Sequence, residues 1–145
     1  MSDDAIRQIL TNTKRIALVG ASAKPERASY EVMRFLLGQG YDVTPVNPGL
    51  AGGEILGRKV VATLDDAAPL EMVELFRKAA DVAAPVEDAI RLGAKTIWMQ
   101  LGIVNEEVAA KARAAGLKVV MNRCPAIDIP RLGLLKYPEP GKAAV

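Results

Sequence analysis

A run of four small residues followed by two cations is the part of this sequence best suited to chemistry. The small residues are Gly20, Ala21, Ser22 and Ala23, and the cations are Lys24 and Arg27. Small side chains let a backbone approach a ligand closely, a serine hydroxyl can donate a hydrogen bond, and cations attract anions. The segment therefore favours a phosphate site. The alternative is a compact turn without a ligand, because serine is common in turns.

The same segment matches the glycine-rich dinucleotide motif poorly. That motif, G-x-G-x-x-G, has three glycines, and here Ser22 and Pro25 stand at the second and third positions. NAD-binding domains also place an acid near the end of the second strand, where this chain has Asn47 between Val46 and Pro48. Since a carboxylate would repel a phosphorylated ribose, the neutral Asn47 favours such a ribose over NAD.

Three further cations are candidates for an anionic ligand. Arg58 and Lys59 follow the second predicted strand closely and could meet a ribose phosphate, or they could form a solvated basic pair. Arg77 comes directly after Phe76 at the end of another predicted strand. Its guanidinium could bond a phosphate or an amide carbonyl, or it could pair with Glu74.

Later strand ends add two amides and one thiol. Gln100 and Asn122 could orient a ligand or could satisfy loop backbone. Cys124 could react because Arg123 beside it favours the thiolate, or it could be a small buried residue. Trp98 and Met99 lie within a predicted buried strand, so we expect them in the core.

Composition removes much of the catalytic repertoire. The 145 residues include no histidine and one cysteine, and the net charge is +2. Ser-His and Cys-His dyads and the usual transition-metal clusters are therefore excluded, and the small charge does not suggest nucleic-acid binding. The single cysteine and the polar start favour a reducing cytoplasm, and no apolar run is long enough to span a bilayer.

Short β-branched runs alternate with alanine-rich helical stretches, which is typical of a parallel sheet with crossover helices. The pattern predicts strands at residues 15–19, 42–46, 60–62, 72–76, 96–100 and 118–121. It predicts helices at residues 3–10, from Ser29 as N-cap, from Asp81 as N-cap to residue 92, and at residues 105–116.

These elements predict an α/β, Rossmann-like, doubly wound domain over residues 1–135, with a mostly parallel sheet flanked by helices. Residues 136–145 are rich in proline, glycine and alanine and are expected to form a flexible tail. Ligands of such folds lie beyond the carboxyl ends of the strands, which is where the candidate residues fall.

A family resemblance rests on several segments in order. "VGAS", "PVNP", "ILGRKV", "LFR", "GAKTIWMQLGIVNEEVAAKARAAGL" and "VVMNRC" together resemble the small stand-alone CoA-binding domain family, over residues 10–132. That family is related to the CoA-binding domain of the succinyl-CoA synthetase α subunit. Members tend to carry Glu-His after the cysteine, where this chain has Asp128 and Ile129.

The resemblance implies that coenzyme A, which carries a ribose 3′-phosphate, is the ligand. It implies that the pyrophosphate lies on the small-residue turn at residues 20–23, and the adenine and ribose near residues 45–48. It also implies that the pantetheine arm runs past Phe76, Arg77, Leu101 and Gly102. We expect a non-catalytic binder of CoA or an acyl-CoA, with a protein partner or a homo-oligomer possible. The alternatives are an NAD(P)-dependent oxidoreductase-like protein and an interaction module with a vestigial pocket.

Overall fold

The computed structural model describes residues 1–138. The helices are α1 (Asp3–Asn12), α2 (Ala28–Gly38), α3 (Ala83–Arg91), α4 (Glu106–Ala114) and α5 (Pro125–Arg131). The strands are β1 (Arg15–Val19), β2 (Asp42–Val46), β3 (Glu54–Ile55), β4 (Arg58–Lys59), β5 (Met72–Leu75), β6 (Thr96–Met99) and β7 (Lys118–Val120). Single 3₁₀ turns lie at Pro48–Leu50, Asp65–Ala67 and Ala79–Asp81.

Five strands form a parallel sheet in the order β2-β1-β5-β6-β7. The chain leaves β1 toward β2 on one side and later returns to β5 on the other side, so the sheet reverses its direction of growth at β1. In doubly wound sheets this reversal opens a crevice at the carboxyl ends of the strands. The predicted Rossmann-like fold class is confirmed.

Both faces of the sheet are covered by helices, and side chains therefore alternate between two apolar cores. Val73 and Leu75 of β5 pack with residues of α3 and α4. Met72 of β5 packs with residues of α1, α2 and α5. Trp98 and Met99 are both fully buried, as predicted, and they face opposite cores because they are consecutive in β6.

The predicted strand at residues 60–62 is wrong. The chain instead forms the antiparallel β3–β4 hairpin, and only Val61 makes a bridge to the main sheet, at Val46. Val61 donates to the Pro45 carbonyl and accepts from the Asn47 N–H. Since Pro45 has no N–H to donate outward from this edge, the ladder cannot extend further along β2.

Two helix starts differ from their predictions by one or two residues. Helix α2 begins at Ala28 with Arg27 as its N-cap, so Ser29 lies inside the first turn. Helix α3 has Val82 rather than Asp81 as its N-cap. Neither N-cap residue makes a capping bond through its side chain. The apolar pattern therefore predicted both helices correctly, whereas the predicted N-caps, Ser29 and Asp81, are wrong.

Helix α5 is absent from the sequence-based prediction. Pro125 occupies the first turn of this helix, where its missing N–H would have no helical partner anyway. Among residues 1–138, no helix is long and apolar enough to cross a membrane.

Gln39, at the end of α2, holds the last described residues. Its side-chain amide donates to the Tyr137 carbonyl at 2.9 Å and accepts from the Lys136 N–H at 2.8 Å. Residues 139–145 of the predicted tail lie outside the described residues.

Candidate functional site

Two adjoining cavities open at the carboxyl ends of β1, β2 and β5, and they share Gly20, Asn47 and Phe76 as a common wall. The turn cavity, of about 410 Å³, is lined by Gly20, Ala21, Ser22, Lys24, Arg27, Ala28, Ser29, Asn47 and Phe76. The side cavity, of about 470 Å³, is lined by Val19, Gly20, Val46, Asn47, Pro48, Ala62, Thr63, Leu64, Phe76, Arg77, Asp81, Ala84, Pro85 and Asp88.

A third cavity, of about 490 Å³, lies at the opposite edge of the sheet and is lined in part by Glu71, Lys95 and Lys118. The C-terminal ends of α1, α3 and α4 lie there, next to the starts of the strands that follow them. Helix C-termini carry partial negative charge, which disfavours anions. These helix ends make the third cavity less favourable for a phosphate than a helix N-terminus at the carboxyl edge.

Gly20 shapes the wall that the two cavities share. Its φ is +85°, and a Cβ at this position would lie 2.3 Å from the Phe76 carbonyl oxygen. The turn can pass over β5 this closely only without a side chain, and the positive φ also favours glycine. The N–H groups of Gly20 and Ala21 both donate to the Val46 carbonyl, at 3.1 and 3.4 Å.

The first turn of α2 supplies hydrogen-bond donors, and so do the hydroxyls of Ser29 in this turn and of Ser22 in the loop before it. Ser29 is buried in this turn and lines the cavity together with Ala28. The Ser22 oxygen accepts the Lys24 N–H at 3.1 Å, which leaves the hydroxyl hydrogen free to donate. The first N–H groups of a helix have no helical acceptor and carry partial positive charge, so they favour an anion.

The electrostatics of the turn cavity are positive. Lys24 and Arg27 line it, both are exposed, and neither forms a salt bridge within residues 1–138. No acidic residue lines this cavity within that range. The side cavity differs, because it contains Arg77 together with Asp81 and Asp88. A ligand that spans both cavities would place its anionic group at the turn.

Asn47 bonds to both sides of the crevice. Its side-chain nitrogen donates to the Ala21 carbonyl at 2.8 Å, and its side-chain oxygen accepts the Gly49 N–H at 2.8 Å. The sequence predicted Asn47 as a neutral strand end beside the ligand, and it does line both cavities. The structure adds that its amide is occupied by two backbone groups.

Arg77 does not pair with Glu74, although the sequence left that alternative open. Glu74 lies in β5 and is fully buried. Within residues 1–138, neither of its carboxylate oxygens has a hydrogen-bond partner. Burial raises the pKa of the Glu74 carboxyl well above its ordinary value, and the nearby Cys124 raises it further. Arg77 instead lines the side cavity.

Five predicted site residues lie outside both cavities: Ala23, Arg58, Lys59, Leu101 and Gly102. The Arg58 guanidinium donates to Asp42 and to the Val43 carbonyl, near the start of β2, whereas Asn47 follows the end of that strand. Lys59 is exposed on the hairpin. Leu101 is half exposed in the loop after β6, and the Gly102 N–H donates to Asn122 at 2.7 Å.

The thiol of Cys124 is buried at the start of α5. The adjacent Arg123, from which the sequence inferred an effect on the thiol, donates to both oxygens of the buried Asp128, at 2.8 and 3.0 Å. This charge is therefore paired with a carboxylate rather than free to stabilise a thiolate. Gln100 is buried, and its side-chain oxygen has no partner within residues 1–138.

Several residues that line the two cavities were not predicted from the sequence as site residues. Ser29 was assigned to capping, although a serine just after two cations in a helix start is itself a signal for an anion site. Thr63, Asp81 and Asp88 reach the side cavity only through the packing of distant segments, and no spacing in the sequence indicates them. Within residues 1–138, no group of three metal-ligating side chains is close enough to hold an ion.

Comparisons with known proteins identify a matching family model and similar structures. The family model described as CoA binding domain matches residues 14–130. The uncharacterized protein YneT of Bacillus subtilis is 36% identical over 120 residues, which is 82% of this chain and 87% of that protein. A hypothetical protein from Pyrococcus horikoshii has a solved structure with a TM-score of 0.86 and 47% identity, over 91% of this chain and 92% of that one.

A larger relative shares only part of its length with this chain. The α subunit of the ADP-forming acetate–CoA ligase I of Pyrococcus furiosus is 29% identical over 130 residues. The match covers 78% of this chain and 28% of that subunit.

Proposed function

Because this chain belongs to the CoA-binding domain family, we propose that it binds coenzyme A or an acyl-CoA without transforming it. The observation that carries the proposal is the cationic turn cavity at the start of α2, which offers Ser22, Ser29, Lys24 and Arg27 to one anionic group. A pyrophosphate matches these donors in charge and in its number of acceptor oxygens.

The rest of the ligand extends from this anchor in two directions. The adenosine lies against Val46, Asn47 and Pro48, which line the side cavity. The pantetheine arm runs over Phe76 toward Leu101 and Gly102, at the ends of β5 and β6. The turn cavity alone is too small for a molecule of this length, so the shared wall of Gly20, Asn47 and Phe76 is where the ligand bends from one cavity to the next.

Lys24 and Arg27 both line the turn cavity, so one of them meets the pyrophosphate and the other meets the 3′-phosphate of a ribose held at the shared wall by Asn47, rather than Arg58 and Lys59. The sequence-based assignment to Arg58 and Lys59 rested on their closeness along the chain to Asn47. Arg58 bonds to Asp42 and Val43, so its release would break contacts of the free protein. Lys24 and Arg27 need no such release, since neither has an acidic partner in the described part of the chain.

A binding role without catalysis is supported by the side chains of the turn cavity. The chain has no histidine, and the turn cavity contains no carboxylate that could act as a general base. The ligase activity of the Pyrococcus relative belongs to a subunit more than three times as long as the matched region. We propose the cytoplasm as the compartment, since the single thiol is free.

The first test is native mass spectrometry of freshly purified protein, in which a bound mass equal to CoA or an acyl-CoA is expected. The second is calorimetry with CoA, dephospho-CoA and NADH. CoA should bind most tightly, dephospho-CoA about 10-fold more weakly if one charge-assisted contact is lost, and NADH most weakly. Equal affinity for CoA and NADH would contradict the proposal, and a preference for NADH would favour an oxidoreductase-like role.

A further inference from the structure

Asn47 connects the turn cavity to the end of β2 through both atoms of its side-chain amide. The nitrogen donates to Ala21, in the turn after β1, and the oxygen accepts from Gly49, in the 3₁₀ turn after β2. Ala21 is 2% exposed, so water cannot replace the side-chain nitrogen as the partner of its carbonyl. The two bonds therefore tie the ligand-facing turn to the neighbouring strand.

At neutral pH an amide can make both bonds, whereas an ionised carboxylate cannot. One partner is a carbonyl and the other is an N–H, so the side chain must donate with one atom and accept with the other. A carboxylate of the same shape accepts with both oxygens, and one of them would face the Ala21 carbonyl at the present 2.8 Å. Leucine has a similar volume and can form neither of the two hydrogen bonds.

The bond to Ala21 also sets the direction of the next backbone donor. In a trans peptide the carbonyl and the following N–H point in opposite directions. Holding the Ala21 carbonyl toward Asn47 therefore fixes the Ser22 N–H away from it. The preceding residue, Val46, accepts from Gly20 and Ala21 through its backbone, so two successive residues at the end of β2 hold the same turn.

We infer that Asn47 is a positioning residue that holds the turn after β1 in the shape needed to receive an anion, and that it makes this chain intolerant of the acid that NAD-binding domains carry there. Where the inference concerns CoA affinity it rests on the proposed function, whereas the effect on the shape of the turn does not. The acid is excluded by a backbone carbonyl of the protein itself, in addition to any repulsion from the ligand.

Asn105 provides a matched control. It is also partly buried, its nitrogen donates to the Ala79 carbonyl at 2.9 Å, and its oxygen accepts the Val108 N–H at 3.1 Å. It caps α4 and lines neither the turn cavity nor the side cavity. Loss of the same pair of bonds at Asn105 therefore tests for general damage to the fold.

Hydrogen exchange of the ligand-free protein tests the turn directly. Asn47→Leu should speed the exchange of the Gly20 and Ala21 amides by about 10-fold or more. Both amides donate to the end of β2, and the substitution removes the side-chain hydrogen bond that holds this strand end to the turn. Asn105→Leu should leave these amides unchanged and affect α4 instead. Unchanged exchange at Gly20 and Ala21 in a folded Asn47→Leu variant would overturn the inference, whether or not the protein binds CoA.

Titration with CoA at several pH values tests the exclusion of an acid. Asn47→Leu should weaken CoA binding by about 10-fold and Asn47→Asp by about 100-fold at neutral pH, while the controls Asn105→Leu and Asn105→Asp stay within about 2-fold of wild type. As the pH falls toward about 4, the protonated carboxyl can donate to Ala21, so Asn47→Asp should approach wild type and Asn47→Leu should not.

The outcomes separate the two proposals. Wild-type protein without CoA affinity refutes the proposed function, and the exchange experiment then decides the inference alone. If Asn47→Asp retains wild-type CoA affinity at neutral pH, or gains affinity for NADH, the inference is wrong even though the CoA site is right.

Discussion

Two loops at the carboxyl edge of the sheet are built with the same parts but differ in how they pack. The turn after β1 and the loop after β6 each contain a glycine with positive φ, at +85° for Gly20 and +81° for Gly102. Each is bonded to an asparagine at the end of an outer strand of the sheet, Asn47 beside β2 and Asn122 beside β7.

The difference lies in what surrounds each glycine. A Cβ on Gly20 would strike the Phe76 carbonyl, whereas one on Gly102 would have no atom within 4 Å. The first loop leads into a helix start with two cations, and the second leaves Leu101 and Val104 about half exposed. A loop that combines a positive-φ glycine with a hydrogen bond to an asparagine is therefore not itself evidence of a site; the close backbone approach and the polar donors are.

Substitution of the two glycines should give the largest contrast. Gly20→Ala combines backbone strain with a clash against Phe76, so it should lower the free energy of unfolding by about 3 kcal/mol or more. Gly102→Ala adds strain alone and should lower it by about 1 kcal/mol. Chemical denaturation of both variants measures this, and equal losses would show that the packing difference carries no energetic weight.

An acid placed in each loop should separate binding from folding. Ser22→Glu fills the turn cavity and cancels its positive field, so CoA affinity should fall by about 100-fold or more while the protein stays folded. Leu101→Glu places the same charge at an exposed position beside the proposed pantetheine path. It should weaken CoA binding by less than about 10-fold. Calorimetry with circular dichroism as the folding control decides, and a folded Ser22→Glu variant with wild-type affinity would remove the turn from the site.

Strand β5 lies between the strands that precede the two loops, and its buried Glu74 should affect both loops equally. Because burial raises the pKa of this carboxyl in the folded state, the folded protein retains a proton that the unfolded chain releases as the pH rises above about 4.5. The contribution of Glu74 to stability is therefore fully present below that pH and is lost as the pH rises through the folded-state pKa. We expect Glu74→Gln to remove a decline of about 1 kcal/mol or more between about pH 5 and 8. A wild-type protein whose stability rises with pH over this interval would contradict the assignment.

The cations of the turn cavity, Lys24 and Arg27, should contribute far less to CoA affinity than Ser22→Glu removes, because both are exposed. The double variant Lys24→Ala, Arg27→Ala should bind CoA about 10-fold more weakly at low salt, and the loss of affinity should be smaller at about 0.5 M salt. Arg58→Ala is the matched control, since Arg58 pairs with Asp42 and should leave CoA affinity unchanged. A larger loss from Arg58→Ala than from the double variant would restore the assignment made from the sequence.

The sequence predicted the parts of the molecule that depend on local patterns. Alternating apolar runs located the five strands of the parallel sheet and four of the five helices, and the small residues at 20–23 located the turn cavity. The environment of Arg58 was not predictable, because it depends on a hairpin that turns the side chain back toward Asp42. Helix α5 was missed because proline at a helix start resembles proline in a loop.

The pairing of β1 with β2 continues past the last strand residues into the turn, through the two bonds that Val46 accepts. Much of the backbone of the site is therefore ordered when the protein folds, before any ligand arrives. A ligand then loses little affinity to loop ordering, for which a flexible site would lose about 0.5–1.5 kcal/mol per immobilised side chain. Association at such a preorganised site is governed by diffusion and charge, so variants that weaken the turn will act mainly by shortening the residence time of the complex.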